Sequence, residues 1–187
     1  MPLIPASKGS ASANYGTPRH LFDFLNRRFR FDYDALAALD NRMPVKFFST
    51  PDRTYEVKRA PAGGERIARI SELDGFTHPW TGRRVFVNPP YRPPGMIART
   101  VTKAILEAGN AEIVVAILPV DTSTAWWQLL IAHAHLEYLA GRPAFIDHET
   151  RLPLTNSTVP IVVAQFHPGP LAWKRYAPPR GARLVAT

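Results

Sequence analysis

Asn88-Pro89-Pro90-Tyr91 directly follows the short apolar run Arg84-Val85-Phe86-Val87. An asparagine and a proline in succession offer a side-chain amide oxygen and a backbone carbonyl. Each can accept one hydrogen of a single amino group. An amine attached to an aromatic ring is a poor nucleophile because its lone pair is delocalised. Holding both of its hydrogens favours a more tetrahedral nitrogen, with the lone pair released toward an electrophile. The same fixed dipoles stabilise the positive charge that develops on nitrogen. Consecutive prolines stiffen the turn and remove N–H groups that would compete. Tyr91 adds a flat face on which a base can stack, worth about 1–3 kcal/mol per base in stacking systems. This chemistry needs neither a metal nor a covalent intermediate.

Other residue types are placed to serve such a site. Asp34 ends the alternating stretch Phe29, Phe31, Tyr33 and can bind a cationic amine or cap a following helix. Asp74-Gly75-Phe76 reads either as an ordinary Asp-Gly turn or as part of a ligand pocket. Asp52 and Glu56 lie about 20 residues past the first strand, the spacing of a ribose-binding acid, but fall in an expected loop and are left unassigned. The six histidines form no ligand pair with acidic support, and the absence of cysteine excludes a disulfide framework and a thiolate zinc site. Trp126 and Trp127 read as core or pocket wall.

The elements that must position these groups follow from pattern. Thr17-Pro18 reads as the N-cap and first residue of a helix burying Leu21, Phe22, Leu25 and Phe29. Phe29–Tyr33 and Val45–Phe48 read as strands. Residues 51–70, charged and containing Pro61-Ala62-Gly63-Gly64, read as an exposed insertion loop, and 67–73 as a short strand or turn. Arg84–Val87 is a strand, Met96–Ile105 a helix ending by Gly109, Ile113–Leu118 a buried strand and Trp126–His135 a helix. Leu136–Leu139 and Val159–Phe166 are later strands. Continuous apolar strands between amphipathic helices predict an α/β protein with a mostly parallel sheet flanked by helices. Its ligand site lies at the carboxyl ends of strands.

Taken with its flanks, the motif resembles the phage-type DNA N-6-adenine methyltransferases, the Dam-like family. The matching pieces are Tyr15-Gly16-Thr17-Pro18, Phe31–Ala35 with Asn41, Asp74-Gly75-Phe76 with Trp80, Val85–Tyr91, Lys103-Ala104, Leu118-Pro119 with Thr122, Thr124 and Trp126-Trp127, and Gly141-Arg142 with Phe145. They span residues 15–166. The resemblance implies a Rossmann-like S-adenosylmethionine-dependent fold and methyl transfer to N6 of an adenine flipped out of double-stranded DNA. It implies catalytic roles for Asn88, Pro89, Pro90 and Tyr91. It implies cofactor contacts from Tyr15, Thr17, Asp34, Ala35, Asp74 and Phe76, with Asp34 on the amine, Thr17 on the carboxylate, and Asp74 and Phe76 around the adenine. S-adenosylmethionine is the expected cofactor, with no metal. Asp34-Ala35-Leu36-Ala37 stands where the wider methyltransferase group carries a glycine-rich turn, and Asp121 where the family often carries a basic residue. A methyltransferase of RNA or of a protein glutamine uses the same four residues and is the alternative, as is a non-catalytic nucleic-acid-binding relative.

Composition sets the frame for that site. Of 187 residues 45% are apolar, enough for one packed domain, and 23 Lys and Arg against 15 Asp and Glu give a net charge of +8. The excess lies at both ends and before residue 100, as suits either a polyanionic partner or a solubility surface. Residues 1–14 read as a flexible tail without a signal-peptide pattern, 15–166 as the methyltransferase domain, 142–158 as either a target-recognition loop or a plain surface loop, and 167–187 as a basic Pro-rich tail. No apolar run reaches the roughly 20 residues of a spanning helix, so a cytoplasmic protein of a bacterial or phage-infected cell is expected. The recognition sequence and the oligomeric state, a homodimer included, are left open.

Overall fold

The computed structural model describes residues 15–61, 63–141, 143–147, 150–154 and 160–168. The expected tail 1–14, all of the expected tail 167–187 past residue 168, and residues 142, 148–149 and 155–159 of the expected loop 142–158 lie outside the described residues. In chain order the elements are β1 (Tyr15–Gly16), α1 (Arg19–Phe29), β2 (Tyr33–Asp34), β3 (Phe47–Ser49), β4 (Thr54–Arg59), β5 (Glu65–Ser71), β6 (Arg84–Val87), α2 (Met96–Glu107), β7 (Ile113–Pro119), α3 (Ala125–His133), β8 (His135–Tyr138), β9 (Ile146–Asp147) and β10 (Ile161–Phe166).

Eight strands form one sheet in the order β5-β4-β3-β2-β6-β7-β10-β8, and β1 pairs with β9 in a separate two-stranded sheet. The α/β class is as expected, but the sheet is not mostly parallel. Only β3·β2, β2·β6 and β6·β7 are parallel, whereas β3·β4, β4·β5, β7·β10 and β10·β8 are antiparallel. The reason lies in the connections. Parallel neighbours need a long crossover, while β3, β4 and β5 are joined by short turns that can only reverse direction. The expected insertion loop at 51–70 is thus a β-hairpin that extends the sheet.

Alternate residues of the strands feed two cores. Val85, Val87, Val114, Ala116, Leu118, Val162 and Phe166 pack with Val101 and Ala104 of α2 and Trp127 and Leu130 of α3. Phe86, Val115, Ile117 and Val163 pack with Leu21, Phe22, Leu25 and Phe29 of α1 on the other face. Both tryptophan expectations hold in part: Trp127 is core and Trp126 packs against it. Burying a face this way supplies most of a helix's stability.

Two boundaries differ from the sequence pattern. Pro18, not Thr17, is the N-cap of α1, and no side chain caps the helix. At the other end Arg30 takes a left-handed conformation, and Asn26 accepts the Arg30 amide on its carbonyl and the Phe31 amide on Oδ1 at 2.7 Å. That closure ends the helix and leaves only Tyr33–Asp34 as strand.

Candidate active site

β2 and β6 lie side by side and parallel, with Asp34 level with Phe86. The chain leaves both strands at the same edge, so Asp34 and Asn88 come together there. A cleft of about 550 Å³ opens between them, lined by Tyr15, Gly16, Thr17, Asp34, Leu36, Asn41, Met43, Asn88, Pro89 and Pro90, among others. A second cleft of about 470 Å³ is lined by Asp74, Gly75, Phe76, Thr50, Met96 and Arg99. The two share Leu36, Ala37, Pro51 and Pro90.

The Asn88 amide nitrogen donates to the Tyr15 carbonyl at 2.8 Å. A carbonyl only accepts, so this bond fixes which end of the amide is which and leaves Oδ1 as the acceptor end. Pro89 is buried and lines the same cleft. Tyr91 meets Tyr15 edge to face, with ring centres 6.0 Å apart. The Tyr91 hydroxyl is buried without a hydrogen-bond partner, and its burial pushes the phenol above its ordinary range.

Asp34 is 4% exposed, and its Oδ2 accepts the Met43 amide at 2.9 Å. Burial raises its pKa to about 7, against the lowering effects of the Met43 amide and the Arg42 charge. A buried carboxylate in this state is poised to ionise when a cation arrives. Beneath it, Tyr33, Ser49 and Thr54 form a buried hydroxyl chain that ends on the Leu73 carbonyl. Burial pushes the Tyr33 phenol up to about 12, with Ser49 and Thr54 opposing.

Asp74 accepts the Phe76 and Thr77 amides and the Thr77 hydroxyl on Oδ1. Desolvation raises its carboxyl, but these bonds and Arg99 outweigh that and hold it below its ordinary range. This is the Asp-Gly turn of the sequence reading, and it also borders a cleft. Gly75 explains how the turn is seated: an added Cβ would lie 1.7 Å from the Ala35 carbonyl oxygen. Trp80 donates from its indole to the Gly75 carbonyl at 2.9 Å and from its backbone to Glu107, which also pairs with Lys103 at 2.6 Å. Arg99 lies over the Phe76 ring at 3.9 Å.

The structure therefore gathers Tyr15, Thr17, Asp34, Asn88, Pro89 and Pro90 about one cleft, and Asp74 and Phe76 about its neighbour. Ala35, wholly buried, and Tyr91 line neither; Leu36 and Ala37 line both. Asp52 accepts the Thr50 hydroxyl at 2.6 Å and Glu56 sits on β4 against Lys58 and Lys46; neither lines either of the two clefts. Sequence reasoning missed Leu36, Ala37, Met43 and Arg99, which carry no motif, and the β1·β9 pairing. Among the described residues no group of three or more His, Asp or Glu is arranged to hold a metal ion. Nor is any helix among them long and apolar enough to cross a membrane.

The family model described as DNA N-6-adenine-methyltransferase (Dam) matches residues 70–169, which include Asp74, Phe76 and Asn88–Tyr91. A DNA N-6-adenine-methyltransferase of Haemophilus phage HP1 is 27% identical over 167 residues, covering 87% of this chain and 83% of that protein. A protein of the same name from Escherichia phage T1 is 30% identical over 155 residues, covering 73% of this chain. The match spans 55% of that longer protein. No solved structure matches.

Proposed function

The chain belongs to the DNA N-6-adenine-methyltransferase (Dam) family, and from that we propose that it methylates N6 of a flipped-out adenine in double-stranded DNA, with S-adenosylmethionine as cofactor. The observation that carries the site assignment is the bond from Asn88 to the Tyr15 carbonyl, which presents the Asn88 amide oxygen as a fixed acceptor.

The residues suit this cofactor. Asp34 is a buried carboxylate with a raised pKa beside an open cleft, the state that gains most from an ammonium partner. Thr17, which lines the same cleft, offers a hydroxyl donor to a carboxylate. Phe76, with Asp74 and Arg99, supplies an aromatic wall in the neighbouring cleft for an adenine ring. When bound, the cofactor supplies an electrophilic methyl on a sulfonium. On the acceptor side, Asn88 Oδ1 and the Pro89 carbonyl take the two hydrogens of the target amine and orient its lone pair. The same two dipoles stabilise the charge that appears on nitrogen. Pro90 keeps the turn rigid, and Tyr91 gives the base a surface to replace lost stacking. Residues 15–166 act as the methyltransferase domain.

The test is incubation with cofactor labelled in the methyl group and unmethylated duplex DNA. Label is expected as N6-methyladenine; its absence across DNA of every sequence context overturns the reading. RNA and a glutamine peptide serve as competitors. Asn88→Ala is expected to lower kcat by about 100-fold or more, while cofactor binding by calorimetry is unchanged. Normal turnover in that variant removes the catalytic role of Asn88.

A further inference from the structure

We propose that the turn around β9, residues 145–147 and 150–154, is a clasp that sets Asn88 and the Asp34 loop together through the ion pair between Arg151 and Asp40. Arg151 and Asp40 are then positioning residues. The inference rests on the reading of Asn88 and Asp34 above.

One arm of the clasp reaches the acceptor site. β9 pairs antiparallel with β1, Tyr15 opposite Asp147 and Gly16 opposite Ile146. The Tyr15 carbonyl that takes the Asn88 amide is therefore held by a segment about 130 residues away in sequence. The turn is closed on itself. Asp147 donates its amide to the Leu152 carbonyl, accepts the Arg151 amide on its own carbonyl, and holds the Thr150 amide and hydroxyl on Oδ1. Leu154 donates back to the Phe145 carbonyl at 2.8 Å, and Ile146 bridges Pro153.

The other arm reaches the cofactor side. Arg151 sits in a left-handed backbone conformation at the turn. Its guanidinium pairs with the Asp40 carboxylate and donates to the Asp40 carbonyl at 3.3 Å. Asp40 belongs to the loop that leaves Asp34. Asn41, the next residue, accepts the Ala38 amide on Oδ1 at 2.8 Å, and Met43 holds Asp34 with its amide. A shift of this loop moves the donor that governs the Asp34 carboxylate, and a shift of the turn moves the carbonyl that orients Asn88. The ion pair joins the two.

Both side chains of the pair are about half exposed, 48% and 45%. Such a pair is weak enough to lose without unfolding the chain. Its loss should therefore be read in kinetics rather than in stability.

The experiment compares the full chain with Arg151→Asp, Asp40→Arg and the double exchange, measuring kcat, KM for cofactor, KM for duplex DNA and Tm. Each single variant is expected to lower kcat and raise KM for the cofactor by about five-fold, the upper end for an exposed pair. Tm should stay close to that of the unmodified chain, and the double exchange should recover most of both parameters. Asp40→Arg adds a positive charge, so mere phosphate contact predicts unchanged or tighter DNA binding and an unchanged cofactor KM. That result, or additive losses in the double exchange, overturns the clasp. Asn88→Ala is the control. If it is inactive while both exchanges behave as the unmodified chain, the clasp alone fails; if it is fully active, the site reading fails.

Discussion

Asp34 shows how much a single residue can be asked to do. It is buried at a strand end, and burial lifts its pKa from 3.8 to about 7. A raised folded pKa favours the neutral form, so its contribution to stability is complete below pH 4 and is lost as pH rises through about 7. Asp34→Asn should therefore be more stable than the unmodified chain at pH 8. The two should converge near pH 4 in urea melts. The proposed role in cofactor binding runs the other way. Cofactor affinity should rise as pH increases from 5.5 to 7.5 in the unmodified chain, with release of a proton on binding. In the Asn variant that pH dependence should vanish and affinity should fall; calorimetry in buffers of different ionisation enthalpy reads both. At this scale the sequence was informative because Asp34 and Asn88 each close an apolar strand. The partner of Asn88 was not legible, since a backbone carbonyl of Tyr15 carries no residue-type signal.

At the scale of elements, the Asp74-Gly75-Phe76 turn joins the hairpin to the central strands. Its seat against Ala35 leaves no space for a side chain: the added Cβ of Gly75→Ala would overlap the Ala35 carbonyl oxygen, which belongs to the backbone and cannot rotate away. The turn must move, carrying Phe76 from its cleft. The expected cost is about 1–3 kcal/mol of stability, read by denaturant melts, with cofactor affinity weakened further than that loss explains. Ser or Thr at this position should behave no better, since each also adds a Cβ. The helices were legible from their apolar spacing, and their ends less so. α1 stops at Arg30 because of a left-handed closure on Asn26, which competes with the alternating Phe29-Phe31-Tyr33 pattern. The 51–70 segment looked like a loop because Glu65–Ser71 has no buried residue to produce alternation; it is an edge strand. β1 and β9 are two residues each, too short for any periodic signal.

At the scale of the molecule, the parallel centre and antiparallel flanks divide the labour. The parallel strands β3-β2-β6-β7 bring Asp34 and Asn88 to one edge, while the hairpin and the β10 return widen the sheet. Alternation cannot reveal strand direction, because parallel and antiparallel strands buried on both faces have the same composition. The +8 charge also becomes more specific. The hairpin looks basic, but Lys58 pairs with Glu56, Arg53 and Arg69 with Glu72, and Glu65 with Arg42. Arg59 and Arg66 are its cations with no ion pair among these. Residues 169–187 carry Lys174, Arg175, Arg180 and Arg183 and no acid. Each phosphate neutralised in duplex DNA contributes about 0.9 to the fall of log K against log salt. Replacing all four by Ala should therefore lower that slope by roughly 3 to 4 if each meets a phosphate, with kcat at saturating DNA unchanged. Arg59→Ala with Arg66→Ala should lower it by less than about 2. Titration of labelled duplex across a range of salt measures both. Equal slopes in all three proteins would mean that neither segment touches the backbone and that the excess charge serves solubility alone.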